Sequence, residues 1–159
     1  MKIYFILMGI FIEDLLNFGN LIDAELEIRL TPEELRRAYP GIDFEIGDGI
    51  FRIIRKKKVL FLSKTQEIRL SDADGRVRKD RENSKQWALF RLLSRDGLED
   101  IKGLSGFMLE GEYLGMDMMP AVVLTDTYEK IPKQFRDKLL INRYKIGRDY
   151  ISVFFKFEK

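Results

Sequence analysis

The sequence has no cysteine and no histidine among its 159 residues. These absences exclude Ser-His-Asp and Cys-His catalytic machinery, and they exclude zinc or copper sites built on imidazole or thiolate ligands. They also exclude a disulfide framework, so nothing in the chain requires an oxidising compartment and we expect a cytoplasmic protein. The chemistry that remains would use carboxylates, lysine, arginine, tyrosine, hydroxyl groups or a hard cation.

Long apolar segments are also lacking. The longest, residues 3–12, is interrupted by Gly9 and has about half the length that a membrane-spanning helix needs. We therefore predict a buried strand at residues 3–12 and expect no membrane partner. Asparagine occurs only four times and glutamine three times, beside abundant lysine, glutamate, arginine and isoleucine, a composition typical of heat-adapted proteins.

The overall composition indicates one folded domain. Hydrophobic residues make up 45% of the chain and charged residues 34%, which is typical of a globular protein rather than a disordered one. The chain is long enough to bury a core without disulfides, and it has no repeat, linker or low-complexity segment. We therefore predict a single domain over residues 1–159.

Alternation of apolar and polar residues predicts several strands. Residues 24–30 and 150–157 each place apolar side chains on one face, as in a half-buried strand. Residues 47–49 and 71–75 have the composition of tight turns that need positive φ. The other predicted strands are residues 42–46, 50–55, 59–63, 66–70, 107–113 and 120–125.

The segments predicted to form short helices are residues 31–39, 83–94 and 132–140. In the first, Thr31 is a capping residue, Pro32 occupies the first helical position and Glu34 completes a capping box. In the second, Asn83 is the cap and apolar residues follow at helical spacing. Because strands and helices do not alternate regularly, we predict an α+β fold with a mainly antiparallel curved sheet or a partly closed β-barrel and about three short helices.

Charge is segregated along the chain although its net value is only +2. Residues 52–81 contain 11 basic and 4 acidic residues, a net charge of +7. The other blocks carry −6 over residues 1–51, −4 over residues 82–131 and +5 over residues 132–159. A local positive field of this kind attracts an anionic partner while the whole chain stays near neutrality.

The basic block predicts a binding surface for a polyanion, with nucleic acid as the first candidate. If its strands pair as a meander, basic residues far apart in sequence line one face and follow a phosphate backbone. The alternative is an ordinary solvated strand edge, where lysine prevents edge-to-edge aggregation. The candidate nucleic-acid-binding residues are Arg52, Arg55, Lys56, Lys57, Lys58, Arg76, Arg78, Lys79 and Arg81.

Aromatic residues near these cations offer a further possibility, the stacking of bases. The residues concerned are Phe51, Phe61, Tyr144 and Tyr150. Each lies in an apolar run, so we expect all four in the core, with base stacking as the alternative.

Residues 25–29 form an acidic and basic pattern on one predicted strand face. Glutamates and an arginine pointing into a barrel could hold a divalent cation and a phosphate chain. The E-x-E-x-[KR] strand resembles the signature of the CYTH, or triphosphate tunnel, enzymes, and a helix and later arginines follow in compatible order. This resemblance implies a cation-dependent phosphohydrolase in which Glu25 and Glu27 hold Mg²⁺ or Mn²⁺ while Arg52 and Arg55 bind phosphates.

Two other segments, residues 18–26 and 70–75, resemble the LAGLIDADG motif of homing endonucleases. The resemblance implies a helix whose last turn delivers a carboxylate to metal ions beside DNA. The first segment matches at residues 21–24 but lacks the glycines of the motif, and the second lies between predicted strands and is better interpreted as a turn.

The sequence therefore leaves three functions open. The leading prediction is a small non-enzymatic module without cofactor that binds nucleic acid or another polyanion. The first alternative is the cation-dependent phosphohydrolase, and the second is an assembly component that pairs with itself or with a protein partner through its charge blocks and aromatic residues. Convergence of Glu25, Glu27, Arg52 and Arg55 in a cavity would favour the enzyme, whereas their spread over a convex face would favour binding.

Overall fold

The structure, a computed structural model, describes residues 25–80 and 85–158. These residues form nine strands and five short helices. In chain order they are β1 (Leu26–Leu30), α1 (Pro32–Ala38), β2 (Asp43–Gly47), β3 (Ile50–Val59), β4 (Leu62–Asp80), β5 (Lys85–Leu92), α2 (Leu98–Lys102), β6 (Phe107–Glu110), β7 (Tyr113–Asp117), α3 (Met119–Val122), α4 (Asp126–Glu129), α5 (Lys133–Arg136), β8 (Leu139–Ile146) and β9 (Ile151–Phe157).

The strands form two antiparallel sheets. The smaller has the order β1-β9-β8 and the larger the order β2-β3-β4-β5-β7-β6. The predicted α+β class with a mainly antiparallel sheet is confirmed. The predicted partial barrel is wrong, because the larger sheet is open, with β2 and β6 as its edge strands.

Elements with one buried face were predicted well from sequence. In β1, Leu26, Ile28 and Leu30 are fully buried while the residues between them are not. In α1, the backbone N–H of Thr31 donates to a carboxylate oxygen of Glu34 at 2.8 Å. That bond closes the predicted capping box and satisfies an N–H that the helix itself leaves unpaired.

The helix predicted over residues 83–94 is wrong, because the segment contains β5 instead. This strand lies in the interior of the six-stranded sheet, and all five residues from Gln86 to Phe90 are buried. A strand buried on both faces loses the apolar–polar alternation by which strands are recognised, and a short continuous apolar run looks the same as a helix.

Other elements also differ from the prediction. The segment predicted as a strand over residues 59–63 contains a two-residue turn between β3 and β4, and residues 107–113 belong to two strands of a hairpin. The segment 120–125 is helical at its start, and most of residues 132–140 are not helical. The described part of the chain therefore has five helices of four to seven residues rather than about three.

A row of aromatic side chains connects the two sheets through the core. Phe44 stacks on Phe51 with ring centroids 5.7 Å apart, Phe51 contacts Phe90 at 5.1 Å, and Phe90 contacts Tyr144 of the smaller sheet at 4.6 Å. The side of the six-stranded sheet that carries this row is called the inner face here, and the opposite side the outer face. Side chains alternate between these faces along each strand.

A bulge in β4 replaces the turn predicted over residues 71–75. Asp72 pairs with Phe90 and Val77 with Ala88, so residues 73–76 all lie opposite Leu89 alone. Asp74 and Gly75 have φ of 57° and 73°, so the prediction of positive φ was correct although the chain continues as one strand. The bulge thus contains three extra residues. Because three is an odd number, each residue after the bulge points to the opposite face from the one that regular alternation counted from Asp72 would give.

Some sequence predictions lie outside the described residues. They include the strand over residues 3–12 and most of the segment 18–26 that resembles a homing-endonuclease motif. The second such segment, residues 70–75, belongs to β4 and its bulge rather than to a helix. Within the described ranges, no helix has the length and apolar character needed to cross a membrane.

Candidate functional site

The outer face of the six-stranded sheet brings Arg52 of β3 and Arg69 of β4 together. The two residues are directly opposite each other in the strand register. Directly opposed side chains have Cβ atoms about 5 Å apart, and like charges in this position are destabilising. The fold therefore holds two guanidinium groups side by side at an energetic cost.

The next row on the outer face adds two more arginines around an aromatic ring. Ser71, which follows Arg69 on the same face, pairs with Arg91 of β5, and Arg91 pairs with Tyr113 of β7. The guanidinium carbons of Arg76 and Arg91 lie 4.9 and 5.5 Å from the centroid of the Tyr113 ring. Cation–π contacts of this kind hold both guanidinium groups near one position.

The bulge places a fifth arginine on the same face. Arg78 pairs with Trp87, whose side chain shares the outer face with that of Arg91. If residues 73–77 continued the regular alternation from Asp72 without a bulge, Arg78 would point to the inner face. The name arginine face is used below for Arg52, Arg69, Arg76, Arg78 and Arg91.

Acidic residues neutralise only part of the arginine face. Arg52 lies 3.6 Å from a carboxylate oxygen of Glu67, and Arg78 lies 2.9 Å from one of Glu110. Within residues 25–80 and 85–158, no carboxylate lies within ion-pair distance of the other three guanidinium groups, which belong to Arg69, Arg76 and Arg91. Their side chains are exposed, so their positive charge is available to a ligand.

Lysines extend this positive surface toward the turn between β3 and β4. Lys56 and Lys58 alternate in phase with Arg52 and therefore lie on the outer face, and both are exposed. Five of the nine predicted binding residues thus share one face of the sheet: Arg52, Lys56, Lys58, Arg76 and Arg78.

Arg55 and Lys57, also predicted to bind, lie on the inner face instead. Arg55 donates to the backbone carbonyl of Asp100 at 3.1 Å, and the ammonium of Lys57 lies 3.3 Å from the carboxylate of Asp100. Hydrogen bonds from Lys57 and then Gln66 hold the pKa of Asp100 below its usual value. These two cations connect β3 to α2 and do not belong to the arginine face.

The remaining two predicted residues are not on this face either. Lys79 pairs with Gln86, and both follow the exchange of faces at the bulge, so Lys79 lies on the inner side beside the rim of a cleft. Arg81 lies outside the described residues. The cations of the predicted basic block therefore divide between the two faces of the sheet, a division that the sequence alone could not show.

Arg69 and Arg91 belong to the arginine face although they were absent from the predicted set of binding residues. Arg69 could have been found by counting alternate residues in the correctly predicted strand 66–70. Arg91 was hidden because its segment was interpreted as a helix, in which it would have had different neighbours. The strand register of β3, β4 and β5 places both residues on the outer face.

The aromatic residues also divide between core and surface. Phe51 and Tyr144 are buried in the core as expected. Phe61 is fully exposed, so its predicted burial is wrong. Tyr150 is partly buried, with the guanidinium of Arg29 4.5 Å from its ring centroid.

Glu25 lies on the other sheet, away from the arginine face. The guanidinium of Arg143 donates to both of its carboxylate oxygens, at 2.8 and 3.1 Å, and the Asn142 amide donates at 2.6 Å. Burial raises the pKa of Glu25, but these hydrogen bonds outweigh that effect and hold the pKa below its usual value. This carboxylate is committed to a surface ion pair that joins β8 to the start of β1.

Glu27 has local partners of its own. One carboxylate oxygen accepts a hydrogen bond from Ser152 at 2.6 Å and one from Arg29 at 3.1 Å. No group of three or more acidic side chains among the described residues could hold a metal ion. The donor set at Glu25 and Glu27 therefore does not fit the Mg²⁺ or Mn²⁺ site that the tunnel-enzyme resemblance implies.

The geometry that this enzyme would need is absent from the described part of the chain. Arg52 and Arg55 project from opposite faces of β3, because an odd number of positions separates them along the strand. Glu27 lies in β1 of the three-stranded sheet, and Glu25 directly precedes that strand. The four side chains therefore do not converge on one cavity.

A cleft of about 380 Å³ lies where β5 meets the start of β8. Two of the polar side chains that line it bond to neighbouring elements: Arg136 donates to the carbonyls of Glu129 and Ile131 at 2.8 Å, and the Gln86 amide bridges β5 to Leu139 at 2.9 Å. These bonds hold α5 and β8 in place.

The chain matches no protein-family model, no curated protein and no solved structure. A functional assignment therefore depends on the arrangement of its own side chains, of which the arginine face is the most distinctive.

Proposed function

We propose that this protein is a small non-enzymatic module that binds a polyanion through the arginine face, and that the polyanion is nucleic acid. The observation that carries the proposal is the direct opposition of Arg52 and Arg69, next to Arg91 on the same face. Folding places these charges together at a cost that an anion between them would offset.

The identity of the cations supports a phosphate ligand. A guanidinium group presents paired N–H donors in a planar fork that matches two oxygens of one phosphate. Arg69, Arg76 and Arg91 have no acidic partner within ion-pair distance in the described ranges. Their donors are thus available for such contacts.

The extent of the surface supports a polymer rather than a small anion. The arginine face crosses three neighbouring strands, from β3 to β5, which corresponds to roughly 10 Å at a strand spacing of about 4.8 Å. Lys56 and Lys58 continue it along β3. A small phosphate would contact one or two of these cations, whereas a nucleic-acid backbone presents regularly spaced charges to all of them.

The phosphohydrolase alternative lacks comparable support. Its glutamates are held by Arg143, Asn142, Arg29 and Ser152. Its two arginines lie on opposite faces of β3. Neither arrangement offers a phosphate chain a common site.

The test is direct binding of fluorescently labelled oligonucleotides, both duplex and single-stranded, measured by anisotropy at low salt. The triple variant Arg52→Ala, Arg69→Ala, Arg91→Ala should bind more weakly by at least about tenfold, because it removes three cations that face phosphates. The matched control is Arg37→Ala, Lys133→Ala, Lys145→Ala. Its three residues are exposed cations on α1, α5 and β8, and it lowers the net charge by the same amount.

Two results would contradict the proposal. One is the absence of binding by the unchanged protein to both probes at low salt. The other is an equal loss of affinity in the two triple variants, since that would show that net charge matters and the arginine face does not.

A further inference from the structure

The hairpin of β3 and β4 extends beyond the sheet as a two-stranded arm. Strand β2 pairs with β3 only as far as Ile54, and β5 pairs with β4 only from Leu70 onward. Residues 55–66, called the arm, therefore pair only with each other. Such ribbons are marginally stable alone, and the contacts of Arg55 and Lys57 with Asp100 of α2 support the base of this one.

The end of the arm is apolar and exposed. Leu60 and Phe61 form its turn, with exposed fractions of 91% and 101%, and the flanking Val59 and Leu62 are 49% and 75% exposed. Four consecutive exposed apolar residues are rare in a protein that has no use for them. These four residues are called the tip below.

The backbone conformation of the turn also indicates that the tip has a function. Leu60 has φ of 59°, a left-handed conformation that costs a branched residue roughly 1–2 kcal/mol and that glycine or asparagine adopts easily. A turn selected for stability would carry one of those residues. The large apolar side chain at this position therefore indicates a role in contact with a partner.

Lysines surround the tip on both faces of the arm. Lys56 and Lys58 lie on the outer face, in phase with Arg52, and Lys57 lies directly opposite Lys64 on the inner face. The positive charge of the arginine face is thus continued along the arm to the tip. A partner that contacts the tip will carry negative charge on either side of an apolar interior.

We propose that the tip is a wedge that enters between neighbouring bases of the nucleic acid bound on the arginine face, a proposal that depends on the function proposed above. Apolar side chains inserted at a base step unstack it, and the burial of the side chains offsets part of the cost of unstacking. Lys56, Lys58 and Lys64 then lie beside the phosphates that flank the step. The tip is about 26 Å from Arg52 along β3, or roughly eight base pairs of duplex.

A polymer fits these observations better than a bilayer. The arm extends along the direction of the strands, whereas the side chains of the arginine face project perpendicular to that direction. A flat membrane that received the tip would meet the sheet end-on and leave Arg69 and Arg91 without contacts. A nucleic acid lying along the strands contacts the arginine face, the arm lysines and the tip together.

The test uses a 20-base-pair duplex that carries 2-aminopurine, a base whose fluorescence rises when it is unstacked, at successive positions in a set of probes. The unchanged protein should raise the fluorescence several-fold at one or two neighbouring positions. The variant Leu60→Ser, Phe61→Ser should abolish this rise while it retains most of the affinity and the same salt dependence. Phe61→Leu, which keeps an apolar tip, should retain the rise.

The outcomes separate this proposal from the previous one. If the protein binds neither the duplex nor the single-stranded probe, the proposed function fails and the wedge with it. If it binds the single strand but not the duplex, the wedge alone is overturned. If it binds but no position responds, or if the serine variant responds equally, the wedge alone is overturned. Because both substituted residues are exposed, the serine variant should unfold at the same urea concentration as the unchanged protein, which checks its folding.

Two further measurements address other partners for the tip. Sedimentation with phosphatidylserine vesicles, and self-association in analytical ultracentrifugation, are compared between the unchanged protein and the serine variant. Neither vesicle binding nor self-association should differ between the unchanged protein and the serine variant. Vesicle binding or self-association that depends on the tip, without a 2-aminopurine response, would assign it to a bilayer or to a second copy of the chain and overturn the proposal.

Discussion

Gly75 of β4 approaches the backbone of Tyr144 of β8 so closely that a Cβ atom on Gly75 would lie 2.7 Å from the Tyr144 carbonyl oxygen. Gly75 also has φ of 73°, which only glycine adopts without strain. The contact joins the bulge to the smaller sheet. The bulge in turn directs Arg78 to the outer face, so this packing contact supports the arginine face.

Gly75→Ala should lower the free energy of unfolding by more than about 2 kcal/mol, because positive φ and a backbone clash act together. Gly41 has φ of 89° but open space around it, so Gly41→Ala should cost only about 1 kcal/mol. Gly103 has neither restriction, and Gly103→Ala should be neutral or stabilising. Urea unfolding measures all three. Equal effects at Gly75 and Gly41 would show that the close approach to Tyr144 has no energetic consequence.

Arg69→Gln should raise the free energy of unfolding by up to about 0.5 kcal/mol, because it removes one of two opposed like charges. Arg52→Gln should give no such gain, since it also removes the ion pair with Glu67. Both variants should bind nucleic acid more weakly. The prediction is wrong if Arg69→Gln is less stable than the unchanged protein in urea unfolding, since that would make Arg69 a structural residue.

Asp117 offers a prediction about pH. Its side chain is buried, and its Oδ1 atom accepts backbone hydrogen bonds from Gln86 at 3.3 Å and Met119 at 3.2 Å. Burial raises the pKa of this carboxyl above its usual value, and the two hydrogen bonds only partly oppose the effect. A carboxyl whose folded pKa is raised contributes stability at low pH that is lost as pH rises through that pKa.

Asp117→Asn keeps an oxygen for both backbone hydrogen bonds but cannot ionise. Its free energy of unfolding relative to the unchanged protein should therefore increase as pH rises from about 4 toward neutrality. Urea unfolding of both proteins over this range measures the difference. A difference that does not change with pH would contradict the raised pKa of the Asp117 carboxyl.

The ion pair of Glu25 and Arg143 gives a prediction on the smaller sheet. Arg143 bonds both carboxylate oxygens, and its guanidinium lies 3.8 Å from the centroid of the Phe154 ring. Lysine cannot reproduce the bidentate geometry or the stacking, so Arg143→Lys should lower the free energy of unfolding by about 1 kcal/mol. Lys145→Arg, at the next position on the same face, is the control and should have no effect. Equal stability of the two variants would contradict the prediction.

The pH dependence of this pair has the opposite sign to that of Asp117. Because hydrogen bonding holds the pKa of Glu25 below its usual value, the pair stabilises the fold above the unfolded pKa, and that contribution disappears as pH falls through the folded pKa. The deficit of Arg143→Lys should therefore shrink in acid.

The parts of the fold that sequence could predict are those where burial differs between the faces of an element. β1 shows clear alternation because its polar side chains are more exposed than its apolar ones, β9 has buried apolar residues at alternate positions, and α1 carries its own capping residues. β5 could not be recognised, because neighbours on both sides bury it and remove the alternation. The bulge in β4 contains the residues of a turn, and only pairing with β5 shows that the strand continues.

The same reasons limited the prediction of the arginine face. Arg52, Lys56, Lys57 and Lys58 were predicted to bind because the basic block is visible in the sequence. The sequence could not show that Arg55 and Lys57 lie on the inner face, because the face of a residue depends on the register of its strand. Their contacts with Asp100 of α2 join residues that are 43 or more positions apart in sequence. Arg78 lies on the outer face because the bulge contains an odd number of extra residues, and no local sequence pattern indicates that number.

The measurement that tests the central claim most directly is the salt dependence of nucleic-acid affinity. For duplex binding by the unchanged protein, the logarithm of the association constant should fall linearly with the logarithm of the salt concentration. The triple variant of Arg52, Arg69 and Arg91 should show a slope smaller by roughly 2.7, or about 0.9 for each phosphate that is no longer neutralised. A slope unchanged by these three substitutions would show that the phosphates lie elsewhere and would contradict the proposed binding surface.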